Sequence, residues 1–187
     1  MNYMGNRCWW DERFKSRTQN LMKHERCLEE DLSFFESKKA ILDVASGDGR
    51  NALYLTRLGF EVYAIDFSAE ALKRLNYFAQ EENLAIRTSL VNLCEDEFSN
   101  LCMKFDAIII NHYRLPKKLY KKIMDLLNPK GILWVNGFMK IPEDNPNVTE
   151  NDLLYDTDFE CMELQKLVDK KEYRYHNNLF VRYIWVK

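Results

Sequence analysis

The sequence predicts an α/β fold built on an open, mostly parallel sheet, and three observations carry that expectation. Short apolar runs of strand type alternate with segments whose apolar residues recur at helical spacing. The run at residues 105–110, FDAIII, is almost wholly apolar, as a parallel strand covered on both faces should be. Residues 40–51, AILDVASGDGRN, pass from an apolar run through a turn of small residues into a helical pattern. Strand, glycine turn and helix together bring backbone N–H groups and a helix N-terminus up to a ligand.

Taken in order, residues 8–38 read as helical, with Trp9, Trp10 and Phe14 near the start and charges throughout. A polar break at 36–39 precedes the first strand, 40–44. The next helix runs over 51–58, with Ala52, Leu55 and Leu58 on one face and Gly59 as its stop. Strand two covers 60–65. Ser68 then suits an N-cap, and Ala71, Leu72, Leu75, Phe78 and Ala79 mark the buried stripe of the following helix. Strand three lies near 86–91 and strand four at 105–110. Leu115, Leu119, Ile123, Leu126 and Leu127 line the inner face of another helix, which residues 128–131 end before strand five at 132–135. Residues 142–158 read as a loop or short helix. Residues 160–168 and 179–186 read as two further strands joined through the polar stretch 169–178.

A chain of 187 residues, 47% of them hydrophobic, suits one domain with a substantial core. A net charge of −2 gives no push toward nucleic acid or a membrane surface, and neither is expected as a partner. The basic group Lys117, Lys118, Lys121 and Lys122 falls on the outward side of its helix and reads as a solvated face. The five cysteines, Cys8, Cys27, Cys94, Cys102 and Cys161, form no CxxC pair. With no apolar leader and no run long enough to span a bilayer, reduced thiols and a cytoplasmic location are expected. His24, His112 and His176 are isolated, so no metal site is expected.

The chemistry concentrates on two carboxylates at strand ends. Asp43 ends the first apolar run and Asp66 the second. A carboxylate at the tip of each of two neighbouring strands suits a ligand that carries both an ammonium group and a ribose diol. Gly47 and Gly49 lack a Cβ, so the backbone between them can approach that ligand closely. Residues 47–52 also satisfy the looser GxGxx(G/A) pattern of nicotinamide and flavin enzymes, which leaves a dinucleotide-binding oxidoreductase as an alternative. Asp43 favours the first reading, because a carboxylate there would repel a pyrophosphate and welcome an ammonium.

These residues carry a family resemblance. DVASGDGRN at 43–51, followed by VYAIDFS at 62–68, resembles the cofactor-binding half of class I S-adenosylmethionine (SAM)-dependent methyltransferases, nearest the small tellurite-resistance and thiopurine-methyltransferase-like group. The likeness runs from WDERF at 10–14 through 131–137 and thins beyond Pro142. It departs at Ala45 and Lys130, where glycines are usual, and at Asn92, where an aspartate is usual.

The resemblance implies a Rossmann-like seven-stranded sheet with helices on both faces and a C-terminal antiparallel strand pair, in one domain over 1–187. Residues 1–38 would be a lid segment, 39–141 the cofactor-binding core, and 142–187 the strands that complete the sheet. The implied cofactor is SAM, held by Asp43, Ala45, Ser46, Gly47, Asp48 and Gly49 of the turn, by Asp66, Phe67 and Ser68, and by Asn92, Leu93 and Asn111. The implied acceptor site lies between Trp9, Trp10 and Phe14 on one side and His112, Tyr113, Arg114 and Phe138 on the other. His112 is a candidate general base. Methyl transfer from a sulfonium needs mainly alignment and exclusion of water, so no catalytic residue is named. A small-molecule acceptor is expected, since no nucleic-acid or protein-recognition module is appended. A degenerate, inactive SAM-binding scaffold is the remaining alternative, with Ala45, Asn92 and Lys130 as its signs.

Overall fold

A computed structural model describes residues 6–93, 101, 103–162 and 165–187. Its regular elements are, in order, α1 (Arg7–Lys15), α2 (Arg26–Glu30), β1 (Ala40–Val44), α3 (Arg50–Arg57), β2 (Glu61–Asp66), α4 (Ala69–Glu81), β3 (Arg87–Leu90), β4 (Phe105–Asn111), α5 (Lys117–Asp125), β5 (Leu127–Phe138), β6 (Lys166–Tyr175) and β7 (Asn178–Val186). The seven strands form one sheet in the order β3-β2-β1-β4-β5-β7-β6. Pairings from β3 to β5 are parallel, and β7 is antiparallel to both β5 and β6. The expected Rossmann-like architecture, with its antiparallel C-terminal pair, is therefore present.

The alternation of β1 builds the two faces. Ile41 packs with Ala52 and Leu55 of α3, Leu75 of α4 and Leu28 of α2 on one side. Leu42 and Val44 join Leu119, Tyr120 and Ile123 of α5 on the other. Because β1 pairs with β2 on one flank and β4 on the other, the chain reverses its winding there. The carboxyl ends of β1 and β4 consequently splay open, the place where open α/β sheets hold ligands.

Three expectations change. The helix expected over 8–38 is broken: α1 stops at Lys15, α2 is short, and a 3-10 turn covers Leu32–Phe35. Ser16 turns its hydroxyl back to the Arg13 carbonyl at 3.0 Å, local capping that competes with helix continuation. The strand expected at 160–168 lies further on. Asp156–Met162 is a 3-10 segment, and β6 occupies the polar stretch 166–175. β6 is an edge strand whose half-buried positions include Asp169 and Lys171, so its sequence lacks the apolar alternation that would have marked it. Its hairpin turns through His176 and Asn177, both at positive φ (45° and 66°), as a two-residue turn requires. Finally, β5 begins at Leu127 rather than 132, passing a register irregularity and Lys130 at φ 63°.

Lys117, Lys118, Lys121 and Lys122 are exposed, as a solvated helix face should be. Cys8, Cys27 and Cys161 are free thiols; Cys94 and Cys102 lie outside the described residues. Among the described residues, no helix is long and apolar enough to cross a membrane.

Candidate functional site

The turn after β1 is built from left-handed backbone. Ala45, Gly47 and Gly49 have φ of 55°, 57° and 86°, a region that costs an L-residue roughly 1–2 kcal/mol. Only Ala45 bears that cost, which explains why glycine is usual there. A Cβ on Gly47 would come within 3.2 Å of the Phe14 ring, so α1 lies directly over the turn. On Gly49 it would come within 2.4 Å of Leu75, so this glycine lets α3 start against α4.

Asp66 holds the turn in shape. Its Oδ2 accepts from the Gly47 N–H and its Oδ1 from the Ser68 N–H, both at 2.8 Å. Burial pushes its pKa up to about 6 despite these bonds. Asp43 is 2% exposed, and its Oδ2 has no hydrogen-bond partner in the protein. Burial, then the nearby charge of Asp66, drives it up to about 8, although Arg50 pulls the other way. A buried carboxylate oxygen without a donor is costly unless something supplies one. An ammonium group would.

A cavity of about 910 Å³ opens over this turn. It brings together Asp43, Ala45, Ser46, Gly47, Asp48, Asp66, Phe67, Asn92, Leu93 and Asn111 with Trp9, Trp10, Phe14, His112, Tyr113 and Phe138. Three expected residues do not line it. Gly49 faces Leu75 instead, and Ser68 caps α4 at the Ala71 N–H while donating to Asp11 Oδ1 at 2.6 Å. Arg114 is bound to buried Asp158 by two contacts of 2.6 and 2.9 Å. Asp48 lines the cavity with its carboxylate already engaged, by Arg17 at 3.0 Å and Arg74 at 3.3 Å. That pair ties the segment after α1 to α4.

His112 is embedded in a polar cluster that sequence reasoning missed. Glu25, buried just before α2, receives Arg50 Nη2 at 3.0 Å and Asn111 Nδ2 at 3.4 Å on Oε2. His112 Nε2 is 3.3 Å from the same oxygen, and its Nδ1 is 3.5 Å from Arg50 Nη2. Asn136, fully buried, donates to Asn111 Oδ1 and receives Tyr173 Oη on its own Oδ1. Burial and then Arg50 hold the imidazole pKa well below its ordinary value, so the ring is neutral. Its backbone is left-handed, at φ 53°, and its ring stacks on Phe180 at 5.4 Å. The ring is held by its Nδ1 contact and its stacking on Phe180, while Nε2, although 3.3 Å from Glu25, makes no hydrogen bond among the described residues. Arg13, Arg50 and the loop at 145–149 also line the cavity and were not expected. Arg50, directly after Gly49, was legible as a neighbour of the turn; Glu25 and the loop carry no pattern.

Residues 41–131 match the family described as a methyltransferase domain. A probable S-adenosyl-L-methionine-dependent methyltransferase TehB of Haemophilus influenzae (strain 10810) is 31% identical over 98 residues, which is 49% of this chain and 33% of that protein. The chain thus spans about a third of the length of that curated relative. The crystal structure of TehB from Haemophilus influenzae superposes with a TM-score of 0.71 at 20% identity, over 95% of this chain and 67% of that one. Magnesium protoporphyrin IX methyltransferase from Synechocystis PCC 6803, crystallised with S-adenosylhomocysteine (SAH), gives 0.70 at 14% identity, over 96% and 93%. Identities this low establish a shared fold.

Proposed function

We propose that this chain, whose residues 41–131 match a methyltransferase domain, is a class I SAM-dependent methyltransferase that transfers the methyl group of SAM to a small-molecule acceptor in the 910 Å³ cavity. The observation that carries the reading is Asp43: a buried carboxylate with one oxygen unpartnered, at the carboxyl end of β1. That group fits the methionine ammonium and is unsuited to a pyrophosphate, which disfavours the nicotinamide alternative. Bound SAM supplies a methyl group on a positively charged sulfur, a good leaving group.

The chain's residues then hold and exclude. Asp43 takes the ammonium, and Asp66 takes the ribose diol through the lone pairs left over from Gly47 and Ser68. Ala45, Ser46 and Gly47 present the backbone. Phe67, Asn92 and Leu93 flank the adenine, with Asn92 keeping an amide hydrogen-bonding edge where a carboxylate is usual. Trp9, Trp10 and Phe14 on α1 cover the cleft and keep water from the acceptor. His112, neutral and held between Glu25 and Arg50, orients the far wall with Tyr113 and Phe138. We read the chain as one domain acting in the cytoplasm with thiols reduced. Gly49, Ser68, Arg114 and Asp48 act as braces of the turn and its neighbours rather than as ligand contacts.

Incubation with methyl-labelled SAM and a panel of thiols, phenols and small amines tests the proposal. Label in an acceptor, with SAH formed in equal amount, is the expected result. SAM bound tightly but never turned over would favour the inactive scaffold.

A further inference from the structure

The cavity's charges are nearly all committed, and the exception is informative. Arg17 is bound to Asp48, and Arg50 to Glu25. Arg7 lies 3.8 Å from Asp11. Arg13, in the second turn of α1, lines the same cavity and has no acid partner among the described residues. Its Nε is buried without any acceptor. Its guanidinium lies over the rings of Trp9 and Trp10, 5.1 and 5.8 Å from their centroids, and Trp10 stacks on Phe14 at 5.7 Å. Those contacts hold the cation beside two rings that stand 89° apart, and among the described residues its buried Nε has no acceptor. A guanidinium held beside aromatic rings with a donor to spare is suited to grip an oxyanion.

We infer that the acceptor carries a carboxylate or similar oxyanion, which Arg13 binds, on an apolar body seated between the Trp9/Trp10 pair and Phe138. This deepens the proposed function and rests on it. The acids on the cavity wall are compatible with such a guest. Asp48 is neutralised by Arg17 and Arg74, and Asp66 is engaged by Gly47 and Ser68. Asp43 belongs to the ammonium of the cofactor. The loop that closes the cavity presents Asn145, Asn147, Thr149 and Asn151, which are neutral. Asp152 is the competing feature. Its Oδ2 caps Thr149, while its Oδ1 is buried and unpartnered, which would suit a cationic acceptor instead.

The test uses SAH-loaded protein and three ligands of one shape: 2-naphthoate, 2-naphthamide and 2-naphthylmethylamine, followed by calorimetry and saturation-transfer NMR. The expected result is that the carboxylate binds roughly tenfold or more tightly than the amide, the range of a charge-assisted hydrogen bond. Arg13→Met, which keeps an unbranched apolar stem over the tryptophans, should abolish that preference, and Arg13→Lys should retain part of it. SAM should bind Arg13→Met as it binds the wild type. Preference for the amine, or a carboxylate preference that survives in Arg13→Met, overturns the inference. So does a variant that loses affinity for SAM but not for decarboxylated SAM, since Arg13 would then hold the cofactor's own carboxylate. Failure of the wild type to bind SAM or SAH at all would instead remove the function on which the inference rests.

Discussion

Replacing Asp43 with asparagine separates what the site costs the fold from what it gives the ligand. The Asp43 carboxyl titrates near 8 in the folded chain, raised from the usual 3.8 first by burial and then by Asp66. An acid whose folded pKa is raised contributes no penalty below its unfolded pKa. The penalty grows as pH rises from about 4 to about 8 and is constant above that. At pH 7 the folded chain holds a proton that the unfolded chain has released, a cost of about 4 kcal/mol. Asp43→Asn should therefore stabilise the ligand-free protein by up to that amount at pH 7 and not at pH 4, as read by urea unfolding. Ligand binding should show the converse. An ammonium against Oδ2 favours the carboxylate, so SAM binding below pH 8 expels the proton. The association constant should rise about tenfold per pH unit from 6 to 8, then turn over as the ligand's own amine titrates near 8. Asp66, at about 6, adds to the slope only at the acid end, and His112 stays neutral throughout. Calorimetry at pH 7 in buffers of different ionisation enthalpy should count about one proton released by the wild type and none by Asp43→Asn. Affinity flat from pH 6 to 8 with no proton released would refute the reasoning.

Other outcomes follow from the same geometry. Gly49→Ala places a Cβ 2.4 Å from Leu75 at φ 86°, and thermal unfolding should show a loss of several kcal/mol, on the order of 3. Ala45→Gly relieves the left-handed strain at φ 55° but frees the unfolded chain, so the melting temperature should rise slightly while SAM affinity is kept. Arg114→Met strands the buried Asp158 charge and should destabilise by about 3–5 kcal/mol, with SAM affinity measured on the folded fraction unchanged. Removing residues 1–14 takes away Phe14, which covers Gly47, and Asp11, which receives Ser68 and the Glu70 N–H. The truncated protein should still bind SAM by calorimetry yet transfer no methyl group, and hydrogen exchange in residues 8–20 of the full chain should slow when SAM binds.

The elements with one-sided or two-sided burial were legible in the sequence. β1, β2, β4 and α3 came within a residue or two of their observed ends, because each buries a periodic or continuous apolar set, although Leu58, expected on the inner face of α3, is exposed just past its end. β6 was displaced because its half-buried positions include the charged Asp169 and Lys171, so no apolar alternation marks it. The N-terminal segment was read as one helix because its charges and aromatics do not reveal the capping at Ser16. In the site, Asp43, Gly47 and Asp66 were legible because their chemistry follows from their place at strand ends. Ser68 and Gly49 each lie within two residues of a cavity-lining residue in sequence but turn away from the cavity, because Ser68 bonds Asp11 and Gly49 packs on Leu75. The Glu25–Arg50–His112–Asn111 cluster joins residues from three separate segments, and only the folded chain brings them together.

On the proposed function, one cleft, bounded by Asp43 and Asp66, receives SAM and its product. Calorimetric titration with SAH and with NAD at pH 8, on wild type and on Asp66→Ala shown by circular dichroism to be folded, tests it most directly. SAH should bind, NAD should not, and Asp66→Ala should weaken SAH by about 1.5–3 kcal/mol, the loss of charged hydrogen bonds to the ribose. Binding of NAD alone, or SAH affinity undiminished in Asp66→Ala, would contradict it.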